Sequence, residues 1–242
     1  MKHLLFSGFL LFTSLGFAQH GIEIEYEEVS IPRIIGKDGK EEKLSGDFLA
    51  ALSVPKNYVL QIKNNQSVFT KLDKINNSQS ENTVIMLGVI PYNILIDFNQ
   101  NLKKQEWLIE HKKFIVTDTI SSPFKYELTQ EKATYLGFSV KQAIIKYDED
   151  NKTIIWYAPD LPKRFGPKEY INLPGLVLKI EGFQKGKTEP SYYMKATSVI
   201  TKDNLEFKKL FKAKEITKQD FKKLEIEYEK NNENQHQGVD TQ

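Results

Sequence analysis

Catalysis by side chains needs a nucleophile, a base and something to stabilise developing charge. This sequence is poor in all three. It contains no cysteine, and of its four histidines only His20, His111 and His236 lie beyond residue 18. His20 and His236 fall near the two ends, and His111, in IEHKK, sits between strand-like segments as an exposed turn residue would. No G-x-S-x-G, H-E-x-x-H, phosphate-binding or dinucleotide-binding pattern occurs. The acidic run Asp148-Glu149-Asp150 lacks the spaced ligands and closing glutamate of a calcium loop and reads as a hairpin tip. A Cys-free, His-poor chain is a weak host for soft transition metals. No catalytic residue, metal site or cofactor is therefore assigned. The enzymatic alternative left open is a hydrolase in which carboxylates such as Glu131 and Asp160 do acid–base work without a recognisable motif. Charge is nearly balanced, 34 basic against 32 acidic residues, which argues against a nucleic-acid partner because phosphate binding needs a basic excess.

Contact chemistry has a better candidate. Residues 156–176, WYAPDLPKRFGPKEYINLPGL, join aromatic side chains to a density of proline that excludes both a helix and a central strand. The segment must be a fixed, irregular loop. It is either a structural corner or the rim of a site, with Trp156, Tyr157, Pro159, Phe165, Leu173, Pro174, Gly175 and Leu176 as the residues that would touch a ligand or partner. Residue chemistry alone favours the corner. Leu173-Pro174-Gly175-Leu176 fits a type II turn, Pro174 setting the first central φ and Gly175 accepting a positive second one.

The elements that must position this loop alternate in polarity. Ile22, Ile24 and Tyr26 interleave with glutamates, the signature of a strand with one wet face. Hairpins are predicted for 58–62 with 67–70, for 138–147 with 153–157, and for 176–183 with 191–201. Strands are predicted at 92–98, 106–109 and 113–117, with another beginning at 126. Residues 36–47 and 73–83 read as polar loops, and 47–53 as a single helical turn. Many short strands with regular turn signals predict a mainly β fold, an antiparallel curved sheet or open barrel. The pentapeptide EIEYE occurs at 23–27 and again at 225–229. The second copy follows Thr217 and Asp220, which resemble a helix cap, and Phe221, Leu224 and Tyr228 fall on one helical face. A C-terminal helix over 217–230 is therefore expected, followed by a polar, frayed tail at 231–242.

The first eighteen residues carry Lys2, an apolar stretch from Leu4 to Phe17, and small residues at Gly16 and Ala18. This is the pattern of a signal peptide cleaved after Ala18, and the apolar stretch is shorter than the about 20 residues a membrane span needs. The expectation is export to the periplasm or cell envelope, no later transmembrane helix, and one β-rich domain over 19–230. Without cysteine there is no disulfide framework to help, so the fold must rest on its own core.

The quoted segment resembles the signature of the GLPGLI family, exported proteins of Bacteroidota cell envelopes, in which an aromatic-Pro stretch leads through Phe-Gly-Pro to Gly-Leu-Pro-Gly-Leu-Ile. YVLQIKNNQSVF at 58–69, KFIVTD at 113–118 and the stretch from Glu131-Lys132 to Gln142-Ala143 are similar to family elements in the same order. Asn172 stands where the motif's first glycine is usual, which suits a turn-entry residue because Asn tolerates unusual φ. Val140 stands where many members carry cysteine. The resemblance implies location and fold, the strand order being analogous to open-barrel, LolA-like lipoprotein carriers, while the family's molecular function is not established. A non-catalytic binding or adaptor module for a hydrophobic ligand such as a lipid, a peptide, or an outer-membrane or other envelope partner is the functional expectation.

Overall fold

A computed structural model of the chain describes residues 20–31, 34–35, 41–42, 46, 53–72, 90–109, 112–207 and 212–237. The expected signal peptide, most of the two polar loops, most of the helical turn at 47–53, His111 and the last five residues lie outside the described residues. The strands are β1 (Gly21–Ser30), β2 (Ile34–Ile35), β3 (Glu41–Glu42), β4 (Lys56–Lys63), β5 (Gln66–Leu72), β6 (Ile90–Asp97) and β7 (Leu102–Ile109). They continue with β8 (Lys112–Thr119), β9 (Glu127–Tyr135), β10 (Phe138–Lys146), β11 (Lys152–Ala158), β12 (Leu176–Phe183), β13 (Tyr192–Lys202) and β14 (Lys214–Ile216). Helix α1 (Lys218–Gln237) closes the described chain.

Twelve strands form one open sheet in the order β14-β8-β7-β6-β5-β4-β1-β13-β12-β11-β10-β9, while β2 and β3 pair separately. Every pairing in the large sheet is antiparallel except β14 with β8. The sequence-adjacent pairings follow from short turns. Asn64 and Asn65, both at positive φ (54° and 61°), give the two-residue β4–β5 hairpin whose twist matches its strands. At the β10–β11 tip, Asp148 Oδ1 accepts from the amides of Asp150 and Asn151 at 2.8 and 2.7 Å, the local bond that makes Asp a turn former. The seam that joins the two halves is not local: β1 lies between β4 and β13.

Alternation places one side chain in two on a common inner face. Tyr26 faces that side between Ala196 of β13 and Tyr58 of β4, and Ile24 beside it is fully buried. Ile24, Leu60, Phe69, Ile94 and Ile96 meet Ala143, Ile155, Ile180 and Met194 in one buried cluster. Register shifts at Glu25/Tyr26, Pro91/Asn93, Lys141/Ala143 and Trp156/Tyr157 bend the sheet around it.

The proline-rich loop between β11 and β12 is the plug of this inner face. Phe165, Ile171 and Leu173 are inside the cluster. The loop pairs with itself, Arg164 N donating to Leu173 O and Asn172 N to Arg164 O, both at 2.9 Å. Val177 N then donates to Phe165 O at 3.1 Å, fastening the loop to β12. Outside, the Arg164 guanidinium stacks 3.9 Å over the Phe98 ring.

The type II turn expected at 173–176 does not form in that way. The left-handed residue is Asn172, at φ 69°, whereas Gly175 is not in the positive-φ region. Gly175 is required for space instead: a Cβ there would lie 2.4 Å from the Ala158 carbonyl oxygen and 2.8 Å from the Tyr157 ring. Gly166 is squeezed in the same manner, its Cβ position lying 2.0 Å from Tyr170 O.

Helix α1 begins as expected and extends beyond residue 230, to Gln237. Thr217 Oγ1 accepts from Asp220 N at 3.1 Å and donates to the Asp220 carboxylate at 2.8 Å, a cap that satisfies an otherwise orphaned amide. Phe221, Leu224 and Tyr228 pack on Trp107, Ile109 and Val116 of β7 and β8. EIEYE is therefore strand in its first copy and helix in its second, because tertiary contacts override local preference.

Candidate functional site

The plug does not fill the whole inner face. Beside Lys168-Glu169-Tyr170 a cleft of about 670 Å³ remains, between β6 and β7 on one side and β11, β12 and β13 on the other. Strand alternation aims Ile94, Gln105 and Trp107 into it from the first wall and Thr153, Gly182 and Tyr192 from the second. The Phe124 and Tyr170 rings stack at 4.7 Å with planes 20° apart and form an aromatic shelf along it.

The loop's two charged lining residues, Lys168 and Glu169, are anchored by partners behind the cleft wall. Lys168 forms an ion pair with Glu28 at the end of β1, the Glu28 side chain being only 9% exposed. Burial pushes the Glu28 carboxyl up, but the Lys168 ammonium and the hydrogen bonds from Lys168 and Tyr58 outweigh it and hold the group below the usual glutamate value. Tyr192 also donates to this carboxylate; burial, and then the nearby negative charge, push the Tyr192 and Tyr58 hydroxyls up, so both stay protonated. The Lys168 ammonium lies 5.7 Å from the centroids of both rings. On the other wall, buried Lys103 donates to Glu169 at 2.8 Å and Gln105 donates to the same oxygen at 3.4 Å. A buried charge is tolerated only when paired and hydrogen-bonded, and these carboxylates are.

One donor beside the cleft remains without such a partner. Trp107 Nε1 is buried and finds no hydrogen-bond acceptor among the described residues. Lys152, at the rim, reaches over the Phe183 ring, 6.0 Å from its centroid.

None of the eight contact residues expected from the sequence lines this cleft. Tyr157, Phe165, Leu173, Gly175 and Leu176 are buried in the core, Trp156 and Pro159 are half-buried, and Pro174 is exposed. The loop's contribution to the cleft comes from Lys168, Glu169 and Tyr170, the charged and polar letters within that otherwise apolar segment. Their polarity at a place surrounded by core residues was the available signal. Trp107, which lines the cleft, and Glu28, which pairs with Lys168, carried none, since only strand pairing brings them there. Glu131 lies on the exposed strand β9 and Asp160 in the exposed turn after β11, and neither lines the cleft. Among the described residues no helix is long and apolar enough to cross a membrane.

Residues 102–179, from β7 to the middle of β12, match the model of a family described as a protein of unknown function (Porph_ging). No curated protein matches the chain by sequence. Two solved structures of PNGF-II, in P21 and C2 crystals, are similar to it at 20% identity, with TM-scores of 0.55 and 0.56. The similarity covers 87% and 86% of this chain, but only 34% and 33% of PNGF-II. This chain thus spans about a third of PNGF-II's length, and at that identity the likeness is one of fold.

Proposed function

We propose that this chain is an exported cell-envelope protein of the GLPGLI type that acts as a binding or adaptor module, with the cleft beside Lys168-Glu169-Tyr170 as its contact site. The signature at 156–176 and the expected signal peptide support the address, and a partner in the envelope or outer membrane fits it. The observation that carries the binding reading is the cleft itself, a concavity of ligand-site size that mixes an aromatic shelf with a few convergent polar groups. Phe165, Ile171 and Leu173 occupy the inner face where a carrier would house an acyl chain. This favours an amphipathic occupant, a small ligand or a peptide segment with both a ring and polar atoms, over a lipid tail.

A cleft-filling substitution tests the reading. Gly182 lies on the cleft wall, and a Cβ there would sit 3.4 Å from Tyr192 Cβ, a tight but side-chain contact. Gly182→Phe should keep the fold while occupying the cleft. Ligand-observed NMR of a set of amphipathic small molecules and short peptides should give binders to the parent protein that Gly182→Phe loses. Binders that are indifferent to Gly182→Phe, or a parent that binds none of the set, would refute the cleft as the contact site.

A further inference from the structure

Charge and hydrogen-bonding capacity in the cleft narrow its occupant. Lys152 and Lys168 line it together with Asp148 and Glu169, so its formal charges cancel. Lys168 is paired with Glu28, Glu169 with Lys103, and Asp148 accepts from the amides of its own turn. A ligand of either sign meets as much repulsion as attraction here, with nothing to offset the loss of its hydration. Acceptors, by contrast, remain open. Lys103 and Gln105 both donate to Oε1 of Glu169, which leaves Oε2 without a donor among the described residues. Gln105 and Asn151 act only as donors there, so their amide oxygens are open, as is that of Gln184. Open acceptors gathered in one cleft call for a ligand with several donors, and the cancelled charges call for donors that are uncharged. Hydroxyl groups meet both demands. Beside these acceptors stand the stacked rings of Phe124 and Tyr170 and, at the rim, Tyr147, which is 57% exposed.

Resting on the proposed role of this cleft, we infer that its ligand is a neutral sugar, of the size of a mono- or disaccharide unit. Hydroxyls of the sugar donate to Glu169 Oε2 and to the amide oxygens of Gln105 and Gln184. A hydroxyl also accepts, so the Gln184 amide and the Lys152 ammonium bind it in return. The C–H face of the ring lies against the aromatic side chains, Tyr147 foremost because it is the exposed one. A peptide segment matches the cleft less well: each residue's backbone brings a single N–H donor, against several hydroxyls on one pyranose ring.

The experiment titrates maltose, cellobiose, lactose and N,N′-diacetylchitobiose into the parent chain, read by saturation-transfer NMR and, for those that bind, by calorimetry. Glucosamine and glucuronate serve as charged sugars, and N-acetyl-L-tyrosinamide as a neutral ring that is not a sugar. The variants are Gly182→Phe, Tyr147→Ala and Gln184→Ala, each checked for its fold by circular dichroism; Tyr147 and Gln184 are exposed, so their truncation should leave the fold intact. At least one neutral disaccharide should bind, and Gly182→Phe should abolish that binding. Tyr147→Ala and Gln184→Ala should each weaken it about fivefold, the scale of one ring contact or one neutral hydrogen bond. Binding of the tyrosine amide that Gly182→Phe removes, with no sugar bound, would overturn the sugar inference and leave the cleft standing as the contact site. Tighter binding of either charged sugar than of the neutral ones, or unchanged affinity in both rim variants, would also overturn it. Binding of none of these compounds, or sugar binding that survives Gly182→Phe, would overturn the inference together with the cleft as the place of such a ligand.

Discussion

Lys168, in the irregular loop before β12, is paired with Glu28 at the far end of β1, 140 residues earlier in the chain. The pair ties the plug to the central strand of the sheet, with Lys168 lining the cleft and Glu28 buried behind it. Removing one member of a buried ion pair leaves the other uncompensated, at a cost of about 3 to 5 kcal/mol when burial is complete. Lys168 is 31% exposed, so the smaller cost of about 2 kcal/mol is expected for Lys168→Ala. Chemical denaturation should show it, and an unchanged midpoint would mean that the loop is held by its apolar side chains alone.

The same pair sets an acid limit on stability. The Glu28 carboxyl is held below its ordinary value of 4.5, so folding is favoured by the ionised form. That contribution is fully present above the ordinary value and is lost as the pH falls through the lower, folded value. Glu28→Gln should therefore be less stable than the parent at neutral pH and should show a shallower loss of stability below about pH 4.5. Parallel stability curves for the two proteins across that range would contradict this.

Gly175 tests packing rather than turn geometry. The carbonyl oxygen of Ala158 stands 2.4 Å from the place a Cβ would take, and backbone cannot swing aside as a side-chain tip can. Gly175→Ala should cost about 1 to 3 kcal/mol through overpacking. Pro174→Ala, at an exposed position, should cost less than 1 kcal/mol, acting mainly on the unfolded chain. A thermal-melt comparison in which both variants match the parent would refute the packing account.

Asn172 tests the conformation. At φ 69° a β-branched side chain is strained, whereas glycine is not. Asn172→Gly should stay within about 0.5 kcal/mol of the parent, and Asn172→Val should lose about 1 to 2 kcal/mol. The order of the two melting temperatures decides the matter.

Phe221 couples the helix to the cleft, its ring centroid lying 4.9 Å from that of Trp107. Phe221→Ala should destabilise by about 3 kcal/mol, near the low end for a large buried ring. It should also shift the emission of Trp107, read in a Trp156→Phe background so that one indole reports. An unshifted spectrum would mean that the helix does not set the environment of that indole.

Much of this architecture was legible in the sequence because strands and helices announce themselves by periodicity. Ile22, Ile24 and Tyr26 alternating with glutamates required a strand with one buried face, and Thr217, Asp220 and the Phe221-Leu224-Tyr228 face required a capped, docked helix. The polar turn between 62 and 67 placed a tight hairpin, and Asn172 is a residue type that tolerates the left-handed φ it adopts. Those are local demands of backbone and side chain, and no partner far along the chain is needed to state them. The placement of β1 between β4 and β13, the course of the loop at 159–175 through the core, and the meeting of Glu28 with Lys168 were decided only by the tertiary structure. Pairing across more than a hundred residues depends on which apolar faces bury one another best, a comparison among whole arrangements that no short window of residues contains. For the same reason Gly175 was expected to serve a turn and in fact makes room for the Ala158 carbonyl: the crowding that requires it comes from another strand.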